Sequence, residues 1–489
     1  MNKLRSAIIF GAFSLLFFRP GFGQDSSGVI PLGNNEFDFL YDRLERFNAM
    51  TLDKFDQQLG PYRFDRLATM PGFLSNIKNV NGEKLVIFGS IAEDARIRKD
   101  SIPFGYESYR GGLAARPVKN FFVYGNFVLD QRRAEDPTYK GKKWRGLAGD
   151  IEQAFVNFQT DHFNLMAGRF GSFWGPRHSL LLGPSARMDG LGYTYRWGRL
   201  SLTYRLAYLD GVYPPSDSAG VVVNRYWAGH RLDVHLSDRI RVGIFEAIVW
   251  GGAGRQLEFA YLNPLLSFHT FQLNRGPNDN SFVGIDFDYK PKLGLDLYGQ
   301  LLIDDFQIDK KTQGDQKPNL YGVLGGFYWS NLAEGWDLSG EYSRVINRTY
   351  NQFFTWNRFL YEGHLISAAL GDDYDVTSVS AYRWFGEKIR SSFNLSFSRQ
   401  GEGAPSDAWT TPWLDITGPY HEAFPTGVVQ RTLSASMGLK GYVTDFLYLD
   451  GHAGIEKILN FSHISWVDRT EPFVEITISL FGSKMLNLQ

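Results

Sequence analysis

The chain has 489 residues, with 51 basic and 52 acidic side chains and no cysteine. So even a charge balance gives nucleic-acid binding no electrostatic support, and the lack of cysteine excludes disulfides and thiolate metal sites. Phenylalanine (40), tyrosine (25) and glycine (52) are abundant while hydrophobic residues reach only 43 %, which suits a β-rich chain better than a helical one.

At the N-terminus, Lys3 and Arg5 precede an apolar run from Ala7 to Phe18, and Gly21 and Gly23 stand where a signal peptidase needs small residues. Residues 1–23 are therefore expected to be an export signal. No later apolar run is long enough for a transmembrane helix, so a membrane-spanning form of this chain must be a barrel. Residues 24–83 are expected to form a short periplasmic helical segment. Phe37, Leu40, Tyr41, Leu44 and Phe47 recur at helical spacing among charged residues, and Thr51 to Leu59 reads as a second short helix. Such a piece would offer a contact for periplasmic export machinery.

From Lys84 the period changes to two, and residues 84–489 read as the barrel. Val283, Ile285, Phe287 and Tyr289 alternate with Gly284, Asp286, Asp288 and Lys290; Val474, Ile476, Ile478 and Leu480 alternate with Glu475, Thr477 and Ser479. The pattern predicts strands near 84–98, 106–117, 119–131, 147–160, 162–170, 190–197, 200–211, 223–237, 240–252, 280–290, 293–308, 319–331, 335–346, 376–386, 388–401, 428–444, 446–461 and 471–481. Alternation alone also fits a soluble sandwich. Segment length and loop length decide: strands of about ten residues suit a tilted membrane crossing. Tight connections such as 198–199 and 290–292 tend to alternate with long ones such as 131–147, 170–190, 252–280, 346–376 and 401–428. Short turns at one end and long loops at the other mark an outer-membrane barrel. The fold class expected is all-β: a transmembrane antiparallel β-barrel of about 18 strands. Residues 261–274 go to a long outer loop with a helical turn, because a strand there would break the loop alternation.

If apolar residues face lipid, the opposite parity fills the lumen with Arg196, Arg205, Arg231, Asp233, Asp286, Asp288, Asp296 and Asp304. Mixed charges at this density can pair across strands, which favours a packed or constricted lumen over a wide pore. Asp450, His452 and Glu456 share one strand face, but such spacings arise by chance in polar lumens, and no nucleophile elbow or phosphate loop stands out, so no catalytic residue, metal or cofactor is expected. The outer loops are rich in large aromatics: Tyr350, Trp356, Trp409 and Trp413 sit among Arg358, Asn351, Asp407 and Asp415. Aromatic faces beside amides, carboxylates and guanidinium groups suit sugar rings, and the same rings could pack loop on loop as a lid. "GSFWGPRHSLLLG" at 171–183 is too apolar for a solvated loop and is expected to fold back over or into the barrel.

The order Gly168, Arg169, Trp174, Gly175, Pro176, Ser179, Leu180, Ala186 and Arg187 resembles the capsule-assembly Wzi family, as do "LEFAYLNPL" at 257–265 and "NDNSFVGIDF" at 278–287. The resemblance implies an outer-membrane barrel with helices on the periplasmic side. It also implies that the barrel holds capsular polysaccharide at the cell surface as a lectin, not an enzyme. The glycan-binding residues expected are Arg169, Trp174, Arg177, Arg187, Tyr350, Trp356, Arg358, Trp409 and Trp413. The rival expectation from the residues is a porin-like channel for small or glycan solutes.

Overall fold

The computed structural model describes residues 28–32, 35–52, 59–66, 70, 72–82, 84–98, 104–176, 178–213, 222–275, 278–307, 316–416 and 420–487. The expected export signal lies outside them. Eighteen long strands form one closed antiparallel barrel. In chain order they are β1 (Lys84–Arg98), β2 (Phe104–Ala115), β3 (Phe121–Asp130), β4 (Leu147–Gln159), β5 (Phe163–Phe170), β6 (Met188–Trp197), β7 (Leu200–Val212), β8 (Val223–His235) and β9 (Ile240–Gly251). The other half is β10 (Asn280–Lys292), β11 (Leu295–Asp305), β12 (Leu320–Ala333), β13 (Trp336–Val345), β14 (Tyr374–Phe385), β15 (Ile389–Gln400), β16 (Gln430–Thr444), β17 (Leu447–Leu459) and β18 (Arg469–Asn487). Closure comes from β1 against β18, in register from Lys84–Asn487 to Arg98–Phe473. Every expected strand is present. Residues 252–275 are not a strand: they hold a short 3₁₀ turn and helix α2 (Phe268–Arg275).

The alternation works as the sequence predicts. On β10, Ile285, Phe287 and Tyr289 are exposed toward the membrane while Asp286, Asp288 and Lys290 are buried inside. Because the termini of the barrel and the tight turns share one end, that end is periplasmic and the long loops are outside.

The lumen is filled from both ends. Helix α1 (Asn35–Ala49) lies within the short-turn end rather than standing off it. Phe39 sits fully buried against Trp384, Tyr442 and Tyr448 of the wall. The Arg46 guanidinium donates to Asp337 at 2.9 Å, and Lys290 donates to the Asn48 carbonyl at 2.9 Å. The amphipathic face read from the sequence thus packs on the inner wall. Leu59–Gly60 is extended where a helix was expected, residues 53–58 lie outside the described residues, and Gly72–Lys78 forms a further helix. From the other end, the 171–187 loop folds into the barrel, and its Phe173–Trp174 pairs with Leu59–Gly60. Across this junction Tyr62 lies edge-on to Phe173 at 5.4 Å between ring centres.

Charge pairing fills part of the remaining lumen, beside a cavity of about 330 Å³ lined by Asp42, Pro176, His178, Asp296, Glu341 and Arg390. Arg231 on β8 donates to both Asp233 oxygens at 3.0 and 2.8 Å and to Asp286 on β10 at 2.5 and 2.7 Å. Arg241 joins Asp286 at 2.8 Å. All four side chains are essentially inaccessible. Buried charges persist only when paired and hydrogen-bonded like this.

Candidate functional site

The site begins with the infolded loop. Gly175 has φ +100°, a backbone state that L side chains rarely adopt. A Cβ there would come within 2.2 Å of the Gln300 side-chain nitrogen. That closeness is used: Gln300 on β11 donates to the Trp174 carbonyl at 3.1 Å and accepts from the Leu180 N–H at 2.7 Å and the Ser179 hydroxyl at 3.2 Å. The leucines at 180–182 are fully buried among Phe245, Phe282 and Tyr350. The Tyr350 hydroxyl donates to the Leu180 carbonyl at 2.6 Å; between this loop and the 346–373 loop the Gly183 N–H donates to the Ile366 carbonyl at 3.0 Å and the Ala368 N–H to the Ser179 carbonyl at 2.9 Å.

Above the infolded loop an open cleft of about 590 Å³ lies at the outer mouth, lined in part by Arg133, Asp136, Tyr139, Asp150, Arg169, Arg187, Tyr361 and His364. Arg169 stands at the outer end of β5, above the lipid-facing band. Its guanidinium grips Asp189 at 3.0 and 2.6 Å and reaches Asp150 at 3.4 Å. Arg187 pairs with Glu152 at 3.2 Å, a carboxylate that Arg110 also holds at 3.0 Å. Arg133 pairs with Asp150 at 2.5 Å. His364 contacts Asp136 at 3.1 Å. The Thr138 hydroxyl and N–H donate to Asp136, and with His364 alongside they hold this carboxyl below its usual range. Burial, with Glu362 beside it, pushes the Tyr361 hydroxyl up. The cleft is therefore lined by carboxylate–guanidinium pairs and two half-buried tyrosines, Tyr139 with the Arg133 guanidinium over its ring at 5.6 Å and Tyr361.

The remaining aromatic loops form a lid. Trp413 is buried edge-on to Trp409 and Tyr420, with the Arg348 guanidinium over its ring at 5.3 Å. Arg348 also grips Glu422 at 2.7 and 2.8 Å. Arg358 ties the two loops through the carbonyls of Ser406 and Asp407 at 2.6 and 2.5 Å. Burial lowers the pKa of this guanidinium.

The expected binding residues separate accordingly. Arg169 and Arg187 meet in the cleft. Trp356 and Trp409 are half-buried in the lid, where Trp356 stacks on Phe354 at 4.7 Å. Trp174, Tyr350 and Trp413 are corrections: each is 4 % exposed or less, because each ring fills space between loop and wall. Trp174 lies against Trp227 at 5.7 Å inside the barrel. Arg177 lies outside the described residues. Of the lumen residues, Arg205, Arg231, Asp233, Asp286, Asp288, Asp296 and Asp304 are buried inside, and Arg196 is half-buried. Sequence reasoning missed Arg133, Asp136, Tyr139, Asp150 and His364. The only signal was the density of charge and tyrosine in "QRRAEDPTYKGKK" at 131–143.

The family of capsule assembly protein Wzi matches residues 120–463, and the chain belongs to that family. Among solved structures it is similar to one described as Wzi, an outer membrane protein involved in group 1 capsule assembly in Escherichia coli and a carbohydrate-binding β-barrel. The identity is 14 %, the TM-score 0.58, and the match covers 93 % of this chain and 99 % of that one. It is also similar, at 10 % identity and a TM-score of 0.45, to the outer membrane protein opdK from Pseudomonas aeruginosa, over 83 % of this chain and 100 % of that one. No curated protein matches the chain. The protein is an outer-membrane barrel.

Proposed function

We propose that this Wzi-family barrel binds surface polysaccharide, capsular or exopolysaccharide, lectin-like and without catalysis, in the cleft at its outer mouth. The observation that carries the reading is the cleft itself: Tyr139 and Tyr361 beside the ion pairs of Arg133, Arg169 and Arg187, over a lumen packed from both ends. Sugar C–H faces stack on tyrosine rings, while planar guanidinium and carboxylate groups bond vicinal hydroxyls. The pairs are already formed, so the side chains lose little freedom when a sugar docks. The description of the Escherichia coli protein as a carbohydrate-binding barrel supports the same reading. Trp356 and Trp409, half-buried in the lid beside the cleft, extend the surface a long chain would cross. At the other end, Phe47, Met50 and Leu52 are exposed and give a periplasmic partner an apolar place to dock.

The test is polysaccharide binding by the purified barrel. Tyr361→Ala and Arg169→Ala are expected to weaken binding by about tenfold or more, roughly 1.4 kcal/mol, with the barrel still heat-modifiable on gels. Unchanged affinity in both variants would sink the assignment. A solute channel, the rival reading, requires a large steady conductance in planar bilayers.

A further inference from the structure

The 252–279 connection between β9 and β10 is set apart from the other long loops by the face it covers. On β7, Ser201, Thr203 and Arg205 point into the lumen, and Leu200 and Tyr208 are exposed toward lipid. Tyr204 has the lipid-facing parity yet is buried, and its hydroxyl donates to the Tyr261 carbonyl at 2.8 Å. The same inversion recurs on the neighbouring strands. Ala228 on β8, Ile248 and Trp250 on β9 and Ser281 on β10 share parity with exposed Leu232, Ile244 and Ile285, but all are buried. What covers them is the connection itself: Tyr261 packs on Trp250 at 4.8 Å and Phe268 of α2 on His230 at 4.4 Å. The segment therefore lies against the outside of the wall.

The polar residues of the wall explain why it binds there. His230 and Glu246 both have lipid-facing parity, 3.4 Å apart. In hydrocarbon that pair alone would leave the rest of the carboxylate without donors. Here Glu246 accepts from the Ser267 hydroxyl at 2.9 Å and from the Phe268 N–H at 2.7 Å, at the first turn of α2. Away from the wall the segment exposes three large apolar side chains, Phe259 and Leu265 at 83 % and Leu273 at 70 %, among exposed Asn263, His269, Thr270, Asn274 and Arg275. Water-exposed leucine and phenylalanine at this density mark a surface that something apolar covers. The surface continues the membrane band, with exposed Leu232, Ile244 and Ile285 on the strands beneath it.

We propose that residues 252–275 are a membrane-embedded appendage. Its inner side replaces lipid on β7–β10, and Phe259, Leu265 and Leu273 contact the acyl chains of outer-leaflet lipid. The appendage then grips the membrane beside the mouth while the lid and cleft face outward. This placement is independent of which ligand the cleft takes.

The chain has no cysteine, so single-cysteine labelling reads depth directly. Leu265→Cys and Leu273→Cys, labelled with an environment-sensitive fluorophore, are compared in full-length barrel reconstituted in phosphatidylcholine vesicles. Ile285→Cys reports the lipid-facing wall and Glu334→Cys, in an exposed tight turn, reports water. Phosphatidylcholine brominated on its acyl chains is expected to quench both test labels about as strongly as the Ile285 label and several-fold more than the Glu334 label. Quenching by aqueous iodide without quenching by bromolipid would overturn the proposal by placing the segment in water. Protection from both quenchers would also overturn it, by showing that a second protein copy covers the face. Retained heat-modifiability of each variant on gels shows that the barrel is folded.

Discussion

Gln300→Leu tests whether the infolded loop closes the lumen. Gln300 holds the loop through three bonds inside the barrel, to Trp174, Leu180 and Ser179. Leucine keeps the volume but cannot bond. The Trp174 carbonyl keeps the Ser179 hydroxyl as a donor, so the group left orphaned is the buried Leu180 N–H. That orphan costs about 1–3 kcal/mol, and the other two bonds add roughly 1 kcal/mol together once solvent exchange is counted. A loss near 3 kcal/mol makes displacement of the loop roughly a hundredfold more frequent. The assay is single-barrel recording in planar bilayers, where brief openings are expected to rise by that factor over the native protein. If Gln300→Leu folds and opens no more often than the native barrel, then the loop is not held by this side chain and the account of the plug is wrong.

Three further changes probe other parts of the same design. Gly175→Ala meets the Gln300 side chain and an unfavourable φ at once; it should lower thermal stability by roughly 1–3 kcal/mol, measured by loss of heat-modifiable mobility, whereas Gly386→Ala, which meets no atom within 4 Å in a solvent-side turn, should cost only the positive-φ strain. Phe39→Ala empties a fully buried site against Trp384, Tyr442 and Tyr448, so α1 should loosen by about 3–5 kcal/mol and become cleavable by protease added from the periplasmic side. Asp372, in the outer 366–373 loop, has its pKa raised by burial and by neighbouring Asp373. A raised carboxyl pKa contributes stability that is complete below about pH 4, the unfolded value, and is lost as pH rises through the folded value. Asp372→Asn should therefore flatten the pH dependence of lid stability between acid and neutral pH, followed by proteolysis of the 401–429 loop; an unchanged pH profile would remove Asp372 from the explanation.

The barrel wall was legible because each strand declares its faces locally: Asp286 and Asp288 between Ile285, Phe287 and Tyr289 need no distant partner to assign inside and outside. Loop length then gave the closure and the orientation. The site was legible only where charge marked the rim, as with Arg169 and Arg187. Trp174, Tyr350 and Trp413 misled because a large aromatic in a polar loop fits a sugar and a loop–loop contact equally well, and the partner that decides is remote in sequence. For Trp174 that partner is Trp227, and for Tyr350 it is the carbonyl of Leu180. The cleft residues Arg133, Asp136 and Tyr139 come from one loop and His364 from another, more than two hundred residues on, so no local pattern could have joined them.

The outer appendage shows where a local rule, followed strictly, carries more than it first gives. Glu246 interrupts the apolar face of β9, and His230 interrupts that of β8, opposite each other in register. Taken singly, each is a polar residue that alternation places toward lipid at a cost. Taken as a pair on adjacent strands they contact each other at 3.4 Å, and the further donors that Glu246 needs must come from outside the wall, because it does not lie where the lumen can supply them. The only chain long enough and near enough to reach them among the described residues is the 252–279 connection that follows β9 directly. It supplies a helix start to Glu246 and an aromatic ring to His230. A break in the alternation of a membrane strand is thus a positive sign of a covering segment, and the covering segment inherits the need the strand had: an apolar face turned to the membrane.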